Sequence, residues 1–200
     1  MDEQFNRKYR KVLEILPDVA ECAEGKLILV GGTALALFHL KHRISIDLDF
    51  VPMEGDDAKL KQELKGCLSK KGYRAARAVY ANQFVIQFED TSIKVEVFIP
   101  EHKVRNFEEY EVGNAKLAVA SLEDIFEMKL IAYANRKAAR DLFDIIFVLK
   151  KKGADFGQVA ELIAKYGMPE DIKDVKNMAL SENDYEIFAK VVGDASKAGN

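Results

Sequence analysis

The chain has 200 residues, 48% of them hydrophobic and 32% charged, an ordinary composition for a globular protein with a real core in one large domain or two small ones. A net charge of −3 excludes a surface coated in positive charge, so any nucleic-acid contact must rest on a local basic patch. No apolar run approaches the roughly 18 residues that span a bilayer, and the mixed-charge N-terminus lacks the form of a signal peptide, so a cytoplasmic protein without membrane contact is expected.

Residues 4–22 read as a helix, because Phe5, Tyr9, Val12, Leu13, Leu16, Val19 and Ala20 recur at helical spacing; Pro17 is expected to kink or break it. "KLILV" (26–30) reads as a short buried strand, and "TALALFHLK" (33–41) as a helix with Thr33 as its N-cap. "ISIDLDFV" (44–51) alternates strictly. It sets Ile44, Ile46, Leu48 and Phe50 on one face and Ser45, Asp47 and Asp49 on the other. A charged amphipathic helix over 56–71 ends at Gly72. Strands over 82–89 and 91–100 follow as an antiparallel hairpin with Asp90 near its turn. Beyond Pro100 the chain reads as polar connection until Ser121, which with Asp124 resembles a capping box. Only helices follow, over 121–136, 138–152, 155–166 and once or twice near the C-terminus. This order points to an α/β or α+β domain followed by a helical one, with the boundary near 112–120. Cys22 and Cys67 match no metal-ligand spacing and are expected as two reduced thiols.

The chemistry concentrates around "GGTALALFHLKHRISIDLDF" (31–50). Asp47 and Asp49, at i and i+2 on a strand, project from one face roughly 7 Å apart. Two such carboxylates need a cation, a basic partner or full solvation, and Mg²⁺ commonly takes one or two carboxylates plus substrate phosphates. "GGT" at the strand-to-helix junction presents backbone N–H groups and a hydroxyl where a phosphate can dock, although no "GK[ST]" follows to make a P-loop. Each feature alone also fits a bland reading, a solvated strand face and a capped turn. Glu96, on the polar face of "IKVEVF", adds a third carboxylate if its strand pairs beside "ISIDLDF", and the three would then converge on one or two metal ions for an in-line phosphoryl displacement.

These residues resemble the nucleotidyltransferase superfamily. Within it they are similar to the AbiEii/AbiGii-type toxin branch, in which a GG[ST] turn precedes an R-x-S-x-D-[LI]-D-[FL] strand, here Arg43, Ser45, Asp47 and Asp49. "MKLIAYANRKAARDLFDI" is similar to that branch's lysine-bearing helix and R-D-x-x-D-[LI] segment, so the resemblance spans about residues 28–148. It implies a nucleotidyltransferase fold, a small mixed β-sheet flanked by helices (1–118, catalytic) followed by a helical C-terminal domain (119–200). It also implies two-metal, Mg²⁺- or Mn²⁺-dependent transfer of a nucleoside monophosphate from an NTP to a tRNA or protein acceptor, by a toxin with a cognate antitoxin. By the same resemblance Gly31, Gly32, Thr33, Arg43 and Ser45 bind nucleotide with Lys129, Arg140 and Asp141. Asp47, Asp49 and Glu96 hold metal, and Lys129 and Asp144 join these acids in catalysis. Glu96 stands where the family more often shows aspartate. Its longer side chain suits a water-mediated contact or general-base work better than direct ligation. A catalytically weak nucleotide-binding or protein-interaction module is the alternative.

Lys129, Arg136 and Arg140 share a helical face if one helix runs through them, and Arg140 with Asp144 forms an i, i+4 pair. Lys59, Lys61, Lys65, Lys70, Lys71, Arg74 and Arg77, with Lys150–Lys152, offer phosphate contacts to an RNA acceptor or simply solvated faces. His39, His42 and His102 show no metal spacing; His42, beside Arg43, is placed to line the cleft.

Overall fold

The computed structural model describes residues 3–198. Seven strands form one sheet: β1 (Leu27–Val30), β2 (Leu48–Pro52), β3 (Arg74–Arg77), β4 (Gln83–Gln87), β5 (Ser92–Val97), β6 (Phe107–Val112) and β7 (Ala115–Ala120), in the order β3-β4-β5-β2-β1-β7-β6. The sheet is mixed. β1 pairs antiparallel with β2 and parallel with β7, β2 pairs parallel with β5, and the three hairpins are antiparallel. β1 is apolar and buried at every position, as a strand covered on both faces must be. The helices are α1 (Glu3–Ala23), α2 (Gly31–Ala34) continued by a π-helical run (Leu35–Leu40), α3 (Asp57–Lys70), α4 (Leu122–Arg136), α5 (Ala139–Lys152), α6 (Gly157–Tyr166), α7 (Ile172–Met178) and α8 (Glu182–Ala198).

The chain divides into two compact units. The first runs to Ala34 and resumes over Ser45–Ser121, so it holds the whole sheet with α1, α2 and α3. Its core joins Val12, Ile15 and Val19 of α1 to Leu29, Leu48, Phe50, Val95 and Val97 of the sheet and Leu64 and Leu68 of α3. Burying each such side chain contributes about 1.5–3 kcal/mol. The second unit takes Leu35–Ile44 and the helices from Leu122 onward. There the Ile44 N–H donates to the Met178 carbonyl (2.8 Å) and Arg43 bridges Ala179, which ties the 35–44 segment to the end of α7.

Several expectations are corrected by packing. Pro17 does not interrupt α1. It lies on the exposed side, while Ile15, Leu16, Val19 and Ala20 bury the opposite face and offset the missing hydrogen bond. The strand "ISIDLDFV" is regular only from Leu48, because the Ile44 N–H and the Asp47 carbonyl find partners outside the sheet ladder. Thr33 is no N-cap: the helix already begins at Gly31. The segment after Pro100 contains the unforeseen hairpin β6–β7, whose edge strand carries Glu108, Glu109 and Glu111, a charged pattern that hides it. One helix does not run through Lys129, Arg136 and Arg140, since α4 ends at Arg136 and Lys137 adopts a left-handed φ of 50°.

The cysteines are also corrected. Cys22 at the end of α1 and Cys67 near the end of α3 are joined as a disulfide, with Cα atoms 5.7 Å apart. Forty-five residues of sequence separate them, so only the packing of α1 against α3 brings them together. In the chain-entropy account, closing a loop of that length contributes about 4 kcal/mol. Cys22→Ser/Cys67→Ser is therefore expected to lower the unfolding free energy by about 2–4 kcal/mol in denaturant titration. Wild type in reductant should match the double variant, and the two curves should separate without reductant.

Candidate functional site

In the first unit the site grows from the junction of β1 and α2. Val30 pairs with Asp49 across β1 and β2, so the Asp49 carboxylate stands beside Gly31. Gly31 has a φ of +71°, and a Cβ there would lie 2.6 Å from Asp49 Oδ2. Only glycine meets both conditions. The buried Thr33 hydroxyl donates to the Asp47 carbonyl and pins the segment ahead of β2 to the start of the helix. Ser45 is buried in the same unit.

The parallel pairing of β2 with β5 sets Asp49 directly opposite Glu96. Like charges across a strand pair repel, and a residue that sequence reasoning did not single out relieves this. Lys94, two positions before Glu96 on the same polar face, places Nζ 3.3 Å from Asp47 Oδ2 and 3.6 Å from Glu96 Oε2. Partial burial alone would lower the Lys94 pKa. Asp47, Asp49 and Glu96 outweigh that and hold it above the ordinary lysine value. Glu96 is further engaged: Oε1 accepts from Asn82 Nδ2 (2.6 Å) and Oε2 from Gln83 Nε2 (2.9 Å). Lys94 was visible in the alternation of "IKVEVF", whereas Asn82 and Gln83 became legible only with the β4–β5 register.

Among the described residues, no three Asp, Glu, His or Cys side chains are grouped so that they could hold a metal ion. The donor set that fits a hard divalent ion is thus the pair Asp47 and Asp49, which suits Mg²⁺ because Mg²⁺ keeps waters and takes substrate phosphates beside one or two carboxylates. Glu96 faces Asp49 but spends both oxygens on side-chain amides.

The remaining expected residues lie in the second unit, mostly in a buried ionic network. Asp144 is fully buried. Its Oδ1 accepts from Arg43 Nε (2.6 Å) and pairs with His42 Nε2 (2.7 Å), and its Oδ2 takes Arg43 Nη2 (2.8 Å) and Lys129 Nζ (2.8 Å). These four contacts, from three side chains, use the acceptor capacity of a carboxylate. Asp141, also fully buried, takes Lys129 Nζ at 3.0 Å and a two-pronged contact from Arg136 at 2.6 and 2.8 Å. The expected Arg140–Asp144 pair is replaced by these partners, and Arg140 is exposed. His42 packs flat on Phe143, with ring centroids 5.4 Å apart, and its Nδ1 is buried without a hydrogen-bond partner. Burial drives the His42 pKa below its ordinary value, and Asp144 only partly opposes this. Burial alone would raise Asp144, but Arg43 and Lys129 overcome it and hold the carboxylate well below its usual range.

Four residues of the expected basic patch are committed to partners within the chain. Lys61 is buried with its ammonium on the Ala81 carbonyl, and Lys71 pairs with Asp18 (3.1 Å) and Glu21 (2.6 Å). Lys151 donates to the His39 carbonyl (2.7 Å), and Lys152 lies 3.4 Å from Glu123.

Two outcomes follow from this geometry. Asp144→Ala strands Arg43 and Lys129 without their shared carboxylate, and should cost about 3–5 kcal/mol in chemical denaturation. The pH dependence has a definite sign. The unfolded chain binds a proton at His42 near pH 6.5 that the folded chain resists, so stability present above that pH falls as pH drops toward the lower folded value. His42→Gln should flatten that slope, while the loss due to Asp144 remains below about pH 4.

Comparison with known proteins agrees with this architecture. A model of the nucleotidyl transferase AbiEii toxin family, type IV toxin–antitoxin system, matches residues 15–190. An uncharacterized protein of Aquifex aeolicus (strain VF5) is 28% identical over 166 residues, 81% of this chain and 75% of that one. JHP933 from Helicobacter pylori shares the fold at a TM-score of 0.55 and 20% identity, covering 100% of this chain and 93% of the other. An antigenic nucleotidyltransferase-like protein from Paracoccidioides brasiliensis does so at 0.53 and 17% identity, covering 86% and 91%.

Proposed function

The chain belongs to the AbiEii nucleotidyltransferase toxin family, and from that premise we propose that it transfers a nucleoside monophosphate from an NTP to a tRNA or protein acceptor, with Asp47 and Asp49 as the metal-binding pair. The observation that carries this reading is the Asp49 carboxylate seated against a left-handed Gly31, with the Asp47 carboxylate beside Lys94 of the neighbouring strand β5. Mg²⁺ or Mn²⁺ bound there would supply positive charge to the triphosphate and to the departing pyrophosphate.

The chain's own residues do the rest. The turn Gly31-Gly32-Thr33 receives phosphate oxygens on backbone N–H groups, as helix starts do. Thr33 fixes the Asp47 segment through its hydroxyl. An acceptor hydroxyl attacks the α-phosphorus in line, loses its proton, and pyrophosphate leaves. We assign Asp141 and Asp144 the task of holding Arg43 and Lys129 in place rather than touching substrate, because both carboxylates are fully buried and engaged.

For the expected division at 118/119, we assign the sheet-bearing unit, which extends through β7 to Ser121, the catalytic role and the helical unit an accessory one. Family membership supports a cognate antitoxin as partner and a cytoplasmic setting, where NTPs are present. No helix among the described residues is long and apolar enough to cross a membrane. In a reducing cytoplasm the Cys22–Cys67 bond would be an exception to the usual rule.

The test is incubation with Mg²⁺, each α-labelled NTP, and either total tRNA or a cell lysate. Label should enter one acceptor, and Asp49→Ala should reduce transfer at least about 100-fold, the scale of losing a metal-held charge. NTP binding without transfer from any NTP would sink the enzyme reading in favour of a binding module.

A further inference from the structure

The three carboxylates on the β2–β5 face all act on Lys94, and two of them are ion-paired with its ammonium. Asp49 lies against Gly31, where no side chain intervenes. Asp47 and Glu96 share one ammonium, at 3.3 and 3.6 Å from Lys94 Nζ. Glu96 is further held by Asn82 and Gln83, at 2.6 and 2.9 Å. A carboxylate that accepts two amide N–H groups and faces an ammonium is oriented by the protein rather than left to close on a metal.

We propose that this carboxylate group takes one divalent cation, on Asp47 and Asp49, and that the Lys94 ammonium is a built-in cation standing between Asp47 and Glu96 where a second metal ion would otherwise bind. The proposal rests on the metal reading given under Proposed function. Its physical basis is charge and space. At separations of 3–4 Å an ammonium strongly disfavours a divalent ion in the same place, and Lys94, a compact point charge on a flexible stem, neutralises carboxylates without demanding coordination geometry. Lys94 is thus a positioning residue: it keeps Glu96 off the metal and holds Asp47 by one oxygen, Oδ2.

The experiment counts ions on the full-length chain by Mn²⁺ titration, reading free Mn²⁺ by electron paramagnetic resonance. Wild type should bind one Mn²⁺ per chain. Lys94→Met should bind a second, and Lys94→Arg should restore a count of one, which a merely structural loss would not do. Glu96→Gln serves if Lys94→Met does not fold; it should keep one ion with a Kd within about threefold of wild type, whereas Asp49→Asn should lose it. Two ions on wild type, an unchanged count in folded Lys94→Met, or loss of the ion in Glu96→Gln would each overturn the proposal. No ion on wild type would overturn the metal reading itself and this proposal with it, while two ions overturn only the proposal.

Discussion

Like-charge repulsion on one face of the β2–β5 pair is the constraint around which the first unit is arranged. The register that places Asp49 opposite Glu96 is fixed by the apolar partners on either side, Leu48 with Val95 and Phe50 with Val97, all fully buried. A slip of β2 by one residue would turn Leu48 and Phe50 away from the core. The core therefore dictates that carboxylates face each other, and the polar face must supply the answer. It does so with the Lys94 ammonium, the amides of Asn82 and Gln83, and a glycine that gives Asp49 room.

The second unit solves a similar problem by a different route. Three cations, Arg43, Lys129 and Arg136, meet two carboxylates, Asp141 and Asp144, largely away from water. Burying a charge is tolerable only when it is paired and hydrogen-bonded, and here the two aspartates are saturated. An added proton on His42 would bring a further positive charge to a group already rich in cations, which agrees with burial in keeping the ring neutral. Aromatic packing of His42 on Phe143 completes a core in which polar and apolar contacts fix one arrangement.

Much of this could be read from sequence, for identifiable reasons. Strict alternation exposed the polar face of "ISIDLDF" and of "IKVEVF", and the glycine pair marked a junction that does carry a left-handed residue. The hairpin β4–β5 was legible because both strands bury every second residue. What stayed hidden depended on contacts between distant segments. The pairing of Cys22 with Cys67, the amides on Glu96 and the buried partners of Asp144 each join residues that no local pattern connects. Edge strands β3 and β6 were missed because an edge strand is disguised by its charges.

The two acidic motifs, D-x-D at Asp47 and Asp49 and D-x-x-D at Asp141 and Asp144, look alike as strings and differ by environment. A carboxylate that binds a metal or meets a phosphate must change partners during a reaction, so it needs access to solvent and a partner it can surrender. Asp47 has both, with a side chain 34% exposed and a single long contact to a half-exposed lysine. Asp144 has neither, since removing any donor would leave a buried charge uncompensated. The motifs differ in their elements, one straddling the start of β2 and the other on α5, and their spacing says nothing about exchangeability. Burial separates the pair that can exchange partners from the pair that holds its surroundings in place.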